Sequence, residues 1–172
     1  MLSRVEIREK NTASQLATVK TGACIRFKGA DDPASDNNNP LIKPSVGSNR
    51  SYEKWLRLYI SSPGPNVSIT NPKFYTSGAN PFGTGVSLYI RTTNPGSFST
   101  PAVPANDSAG TSAFTYTSAS PKALDVANTG PFSGSLTDIA DYIVLWMTIG
   151  TTVIPSKDPT GRALFTFSYD ET

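Results

Sequence analysis

No histidine occurs among the 172 residues, cysteine appears once, and the thirteen carboxylates are scattered along the chain. Acid/base catalysis near neutral pH draws on histidine first and then on carboxylates or lysines shifted by burial, and zinc sites want histidine or several cysteines. The common catalytic and transition-metal constellations are therefore missing. A lone Cys24 cannot close an internal disulfide, which excludes the cross-linked framework of small secreted domains and predicts a buried free thiol. Charged residues are also scarce, at 16%, and no run approaches the roughly 18 apolar residues that span a bilayer. Residues 1–10 carry Arg4, Glu6, Arg8, Glu9 and Lys10 without an apolar core segment, so no signal peptide is expected and synthesis in a cytoplasm is. The Asn-x-Ser triplets at Asn49, Asn66 and Asn106 are the chance product of a Ser-rich chain.

What the chain has instead is 14 prolines, 13 glycines and many small polar residues punctuating short apolar runs. That is the composition of short strands joined by turns. A mass of 18.3 kDa suits one core. A net charge of +2 provides no basic stripe, so nucleic acid is not an expected partner, and neither is a membrane.

Period-2 alternation then orders the chain. Residues 1–22 read as an N-terminal arm or edge strand, with Val5 and Ile7 opposite Leu2, Arg4, Glu6 and Arg8; residues 23–172 read as one domain. In 23–28, Ala23, Ile25 and Phe27 would point inward, with Cys24, Arg26 and Lys28 on the other side of a strand. Residues 29–49, with three prolines and Asn37, Asn38 and Asn39, form a long loop. Its Asp31, Asp32 and Asp36 are the one oxygen-rich cluster suited to Ca²⁺, but their spacing does not fit an EF-hand, so no metal is assigned. From 52 to 60 a strand puts Trp55, Arg57 and Tyr59 on one face and Leu56, Leu58 and Ile60 on the other. A turn at 61–66 leads to an extended piece, Val67 to Tyr75, where Asn71-Pro72 predicts an edge or a bulge. Residues 77–85 are a loop and 86–91 a half-buried strand, and 92–110 is a long excursion of the kind that carries function. Short strands are predicted at 113–116 and 123–126, with a bend at 130–134. The run 143–149, apolar on both faces and containing Trp146, must be a central strand. After a turn at 150–161, residues 162–169 are predicted to pair with it as a hairpin.

The segment Asp138-Ile139-Ala140-Asp141-Tyr142 before that central strand resembles the tyrosine corner of immunoglobulin-like sandwiches. The resemblance implies that Tyr142 is the corner, 143–149 the penultimate strand and Trp55 a core tryptophan. Val144 and Cys24 depart from the antibody pattern, and a jelly roll is the alternative. The fold class is thus all-β, an antiparallel β-sandwich of Ig-like Greek-key or jelly-roll type, with Trp55, Tyr142 and Trp146 defining it.

Trp55-Leu56-Arg57-Leu58-Tyr59, then 69–76 and 85–90, looks like the layout of small β-sandwich structural proteins of tailed bacteriophages, notably capsid decoration or cement proteins. That resemblance implies a non-enzymatic virion protein, assembled in the host cytoplasm, homo-oligomeric and most simply trimeric, whose partners are the major capsid protein or other virion proteins. Arg4, Arg8, Arg26 and Lys28 are then the charges expected to meet an acidic shell. The sequence itself has no phosphate-binding glycine loop and no Gly-x-Ser-x-Gly elbow, and it implies no cofactor. Asp138 and Asp141 at a strand entrance are expected to be exposed turn caps in preference to a glycosidase pair. Tyr52, Tyr59, Tyr75, Tyr89 and Trp55 keep a second reading open, a carbohydrate- or receptor-binding module of a tail fibre or baseplate, although alternating aromatics are more often core or cross-strand pairs.

Overall fold

The structure, a computed structural model, describes residues 3–62, 64, 68–126, 130–134, 136–154 and 161–172. Met1, Leu2, Val67 and half of each of the predicted turns at 61–66 and 150–161 lie outside the described residues.

Two antiparallel sheets pack face to face. The larger contains β1 (Arg4–Asn11), β2 (Leu16–Val19), β3 (Ser48–Arg50), β4 (Lys54–Ser62), β6 (Val86–Arg91), β7 (Gly110–Ser112) and β9 (Thr137–Gly150). Its order is β2-β1-β4-β9-β6-β7, with β3 also beside β9. The smaller sheet is β10-β5-β8, built from β5 (Ile69–Thr76), β8 (Lys122–Ala123) and β10 (Phe165–Glu171). Between them Leu56, Leu88, Ile90, Ile143 and Leu145 meet Phe74 and Leu124, flanked by Phe165 and Phe167. A second cluster of Leu58, Ile60, Ile69 and Ile139 continues the core toward Val5 and Ile7. Burying such side chains contributes about 1.5–3 kcal/mol each, so the alternation of β4 and β9 decides which way the sheet faces.

The predicted closing hairpin does not form. β9 has β4 and β3 along one edge and β6 along the other, so no edge is left for β10, which crosses to the smaller sheet and pairs with β5. The predicted bulge in β5 is present. Asn71 takes φ +53°, the ladder with β10 shifts register between Ser168 and Asp170, and Pro72 uses only its carbonyl, which accepts from Leu124 N–H.

Of the arm or edge strand expected at 1–22, the described residues form the edge: β2 is the outermost strand of the larger sheet and β1 lies between it and β4. No strand forms at 23–28; Ile25 and Phe27 still pack on the core, but only Lys28 makes a bridge, to Pro40. Cys24, with no neighbouring strand to bury it, is exposed. Residues 113–115 form a 3-10 turn where a strand was expected, because Ser112 Oγ accepts from Phe114 N–H and caps it. Tyr142 is no corner between sheets. It lies within β9, just after a bulge in which Ala140 adopts φ +61° and the β4–β9 register shifts between Leu56 and Leu58.

Candidate functional site

The three strands of the smaller sheet do not match the width of the larger one, and the surplus is covered by loops. On the inner side the segment from Lys20 to residue 40 closes over the ends of β1 and β4. The register that turns Val5, Ile7 and Leu56 inward also turns Glu9 and Lys54 inward, and both are fully buried. Lys54 Nζ lies 2.9 Å from Glu9 Oε1 and donates to the Asp32 carbonyl at 2.8 Å, while Lys20 Nζ lies 3.3 Å from Glu9 Oε2 and donates to the Cys24 and Pro33 carbonyls. Asn11 Nδ2 donates to Glu9 and to Asp31, and Thr12 N–H also donates to Asp31. Isolated buried charges are costly, so each ammonium gathers carbonyls and carboxylates that draw the loop down.

Lys28 does the same further along. It is buried, and its Nζ lies 2.7 Å from Asp32 and 2.6 Å from Asp36. The predicted oxygen-rich cluster is therefore organised around an ammonium, and among the described residues no group of three or more His, Cys, Asp and Glu is gathered to hold a metal ion. The hydrogen bond from Lys28, with that from the Ala34 N–H, holds the Asp32 carboxyl below its usual range; Lys28 and the Asn38 N–H do the same for Asp36. Burial pushes the Lys28 ammonium down, but its two carboxylate partners outweigh this and its pKa is raised.

On the outer side, residues 92–110 lie across the face that carries Trp55, Tyr142, Val144 and Trp146. Phe98 packs edge-on to Trp55 at 5.4 Å, Tyr142 N–H donates to the Pro95 carbonyl, and Glu53 N–H to that of Ala102. Trp55 thus belongs to a separate cluster beneath a loop and not to the inter-sheet core. Asp107 pins the far end. Its Oδ1 accepts from Arg50 Nε at 2.8 Å, Trp146 Nε1 at 2.9 Å and Thr148 Oγ1 at 2.8 Å. Burial pushes the Asp107 carboxyl up, but these donors win and hold it below its usual range. Gly110 is required here, since a Cβ would come within 2.3 Å of the Trp146 ring.

The two loops meet beside β3 around a shallow cleft of about 570 Å³, with residues 39–42 on one wall, Ser48, Asn49 and Arg50 on the other, and Val103 above. Ile42 is 64% exposed and Val103 46%, and Val46 on the same loop as Ile42 is 83% exposed.

The four predicted contact cations do not make one patch. Arg4 is exposed, Arg26 is half-buried, Arg8 is paired with Glu6 at 3.1 Å and lies over the Tyr59 ring, and Lys28 is buried and neutralised. Asp138 and Asp141 are not exposed caps either: both belong to β9, where Asp138 pairs with Lys10 and Asp141 is buried at the bulge. Sequence reasoning missed Glu9, Lys54 and Asp107. For the first two a signal existed, because they share the inward parity of Val5 and Leu56; nothing local marks Asp107.

Comparison with known proteins finds no family model, no curated protein and no solved structure that matches the chain.

Proposed function

We propose that the protein is a non-catalytic virion structural protein of the capsid decoration or cement type, which grips neighbouring polypeptides through the loop-bearing end of its larger sheet and assembles as a homo-oligomer, a trimer in the simplest case. One observation carries this reading. Both long loops are held by charged side chains, tied to the sheet at Lys54 and Asp107 and braced within the first loop by Lys28, yet they turn Ile42, Val46 and Val103 toward solvent. Loops ordered before binding lose little conformational freedom on association, and exposed aliphatic groups contribute by leaving water. The chemistry of the interior agrees, because Lys54 and Glu9 are enclosed where no substrate atom reaches them. Three of the five aromatics that would stack on sugars are engaged internally: Trp55 is buried, Tyr59 is covered by Arg8, and Tyr89 stacks on Trp146, while Tyr52 and Tyr75 are half-buried.

Co-sedimentation with undecorated tailed-phage particles tests the reading. Binding is expected, and it should weaken for Val46→Asp, an exposed site where the substitution leaves folding intact. Absence of binding by the folded protein would refute the virion assignment.

A further inference from the structure

The backbone of β3 has one edge in use and one open. Ser51 N–H donates to the Met147 carbonyl at 2.9 Å, across the β9 side. Successive residues of a strand send their N–H and C=O groups to opposite edges, so Asn49 faces β9 with Ser51, while Ser48 and Arg50 face away. Tyr52, the next residue of the outward set, donates to the Lys28 carbonyl at 3.0 Å, so there the adjoining position is filled. Beyond Lys28 the chain turns aside, with Gly29 N–H bonded to the Asn39 carbonyl, and the position beside Ser48 and Arg50 is the cleft. Among the described residues no other segment hydrogen-bonds the backbone of Ser48 or Arg50 on that edge.

We propose that this cleft is a strand-acceptor slot, which takes an extended, uncharged segment of a partner polypeptide as an added strand beside β3. Main-chain bonds to Ser48 and Arg50 would supply the pairing, and Ile42 and Val103 would receive alternate side chains of the guest. Charge complementarity selects the guest's character. The one ionised side chain lining the cleft, Arg50, has its charge met by Asp107 at 2.8 Å, so a charged guest residue would lose hydration without gaining a counter-ion. The Asn49 amide donates to the Ile42 carbonyl at 2.7 Å and so holds the wall of residues 39–42 beside β3, whose three residues limit the added strand to a short one. The inference rests on this end being a contact surface, and it stands whether or not the partner is a capsid.

The test is a random hexapeptide library displayed on yeast and sorted against the full-length protein. Enriched peptides should be uncharged, with aliphatic or β-branched residues at alternate positions. The best of them, made as a capped synthetic peptide, should slow hydrogen exchange at the Ser48 and Arg50 amides. Ile42→Asp and Val103→Asp, both at exposed positions, should weaken its binding by about tenfold or more without lowering the melting temperature. Ser48→Pro, which removes one donor, should do the same. Failure to enrich any peptide, enrichment of charged ones, indifference to Ile42→Asp and Val103→Asp, or protection at β2 or β10 in place of β3 would each overturn the proposal. A peptide that binds as described to a protein that ignores phage particles leaves the slot standing and removes the virion reading. Particles decorated equally well by the Ile42→Asp, Val103→Asp double variant, together with a library that enriches no peptide, would remove the slot and keep that reading.

Discussion

The indole N–H of Trp146 donates to Asp107 Oδ1 at 2.9 Å, so the longest strand of the larger sheet holds the end of the 92–110 loop through a single carboxylate. Arg50 on β3 and Thr148 on β9 donate to the same group, which makes Asp107 the point where two strands and one loop meet.

Replacing Asp107 with Ala should leave the Trp146 N–H without its acceptor and the Arg50 guanidinium with only the Ala105 carbonyl. The expected cost is about 2 kcal/mol, since hydrogen bonds to charged groups are worth about 1.5–3 kcal/mol each and water will replace part of them. Denaturant titration measures the loss, and amide exchange should speed up across 92–110 while the β4–β9 ladder stays protected. An unchanged loop would mean that Phe98 and the backbone bonds at Pro95 and Ala102 suffice to hold it.

Glu9 sits between two buried ammonium groups, at 2.9 Å from Lys54 and 3.3 Å from Lys20. Glu9→Ala should be among the most damaging single substitutions, at about 3–5 kcal/mol, because it strands two buried cations. The triple variant Glu9→Leu, Lys20→Met, Lys54→Met should recover much of that loss, as apolar groups of similar volume often replace a buried ion network at little cost. If the triple variant is no more stable than Glu9→Ala, the carbonyl bonds from Lys20 and Lys54 to the loop matter more than the charges do.

Without histidine, no side chain with an ordinary pKa between about 5 and 8 is present, so stability should be flat across that window. Asp32, Asp36 and Asp107 have folded-state pKa values below the unfolded value of about 3.9. Their contribution is complete above that value and is lost as pH falls through the folded values. Lys28 is the opposite case: its raised pKa gives a contribution that is complete below its unfolded value of about 10.4 and lost only as pH rises beyond it. Thermal melts from acid to alkaline pH should therefore trace a plateau falling at both ends. A transition near pH 6 would contradict this.

Much of the fold can be read along the chain. Leu56, Leu58 and Ile60 face the core and Trp55, Arg57 and Tyr59 the other side, as their alternation requires, and 143–149 is buried on both faces at the centre of its sheet. The loops at 29–49 and 92–110 are legible from their prolines and small polar residues except at their far ends, where β3 begins at Ser48 and β7 at Gly110. Little of the candidate site is. Lys28 looked like a surface cation and is buried, and Cys24 looked buried and is exposed, because neither fate depends on neighbours in sequence.

By itself the sequence determined what is local: which residues can be extended, which face of each strand is apolar, and where the chain must turn, since side-chain parity and turn chemistry act over a few residues. Tertiary structure alone decided which edges pair, which loop lies over which face, and which carboxylate meets which ammonium. Those outcomes depend on how many strands compete for each edge, and on where a narrow sheet leaves a wide one uncovered.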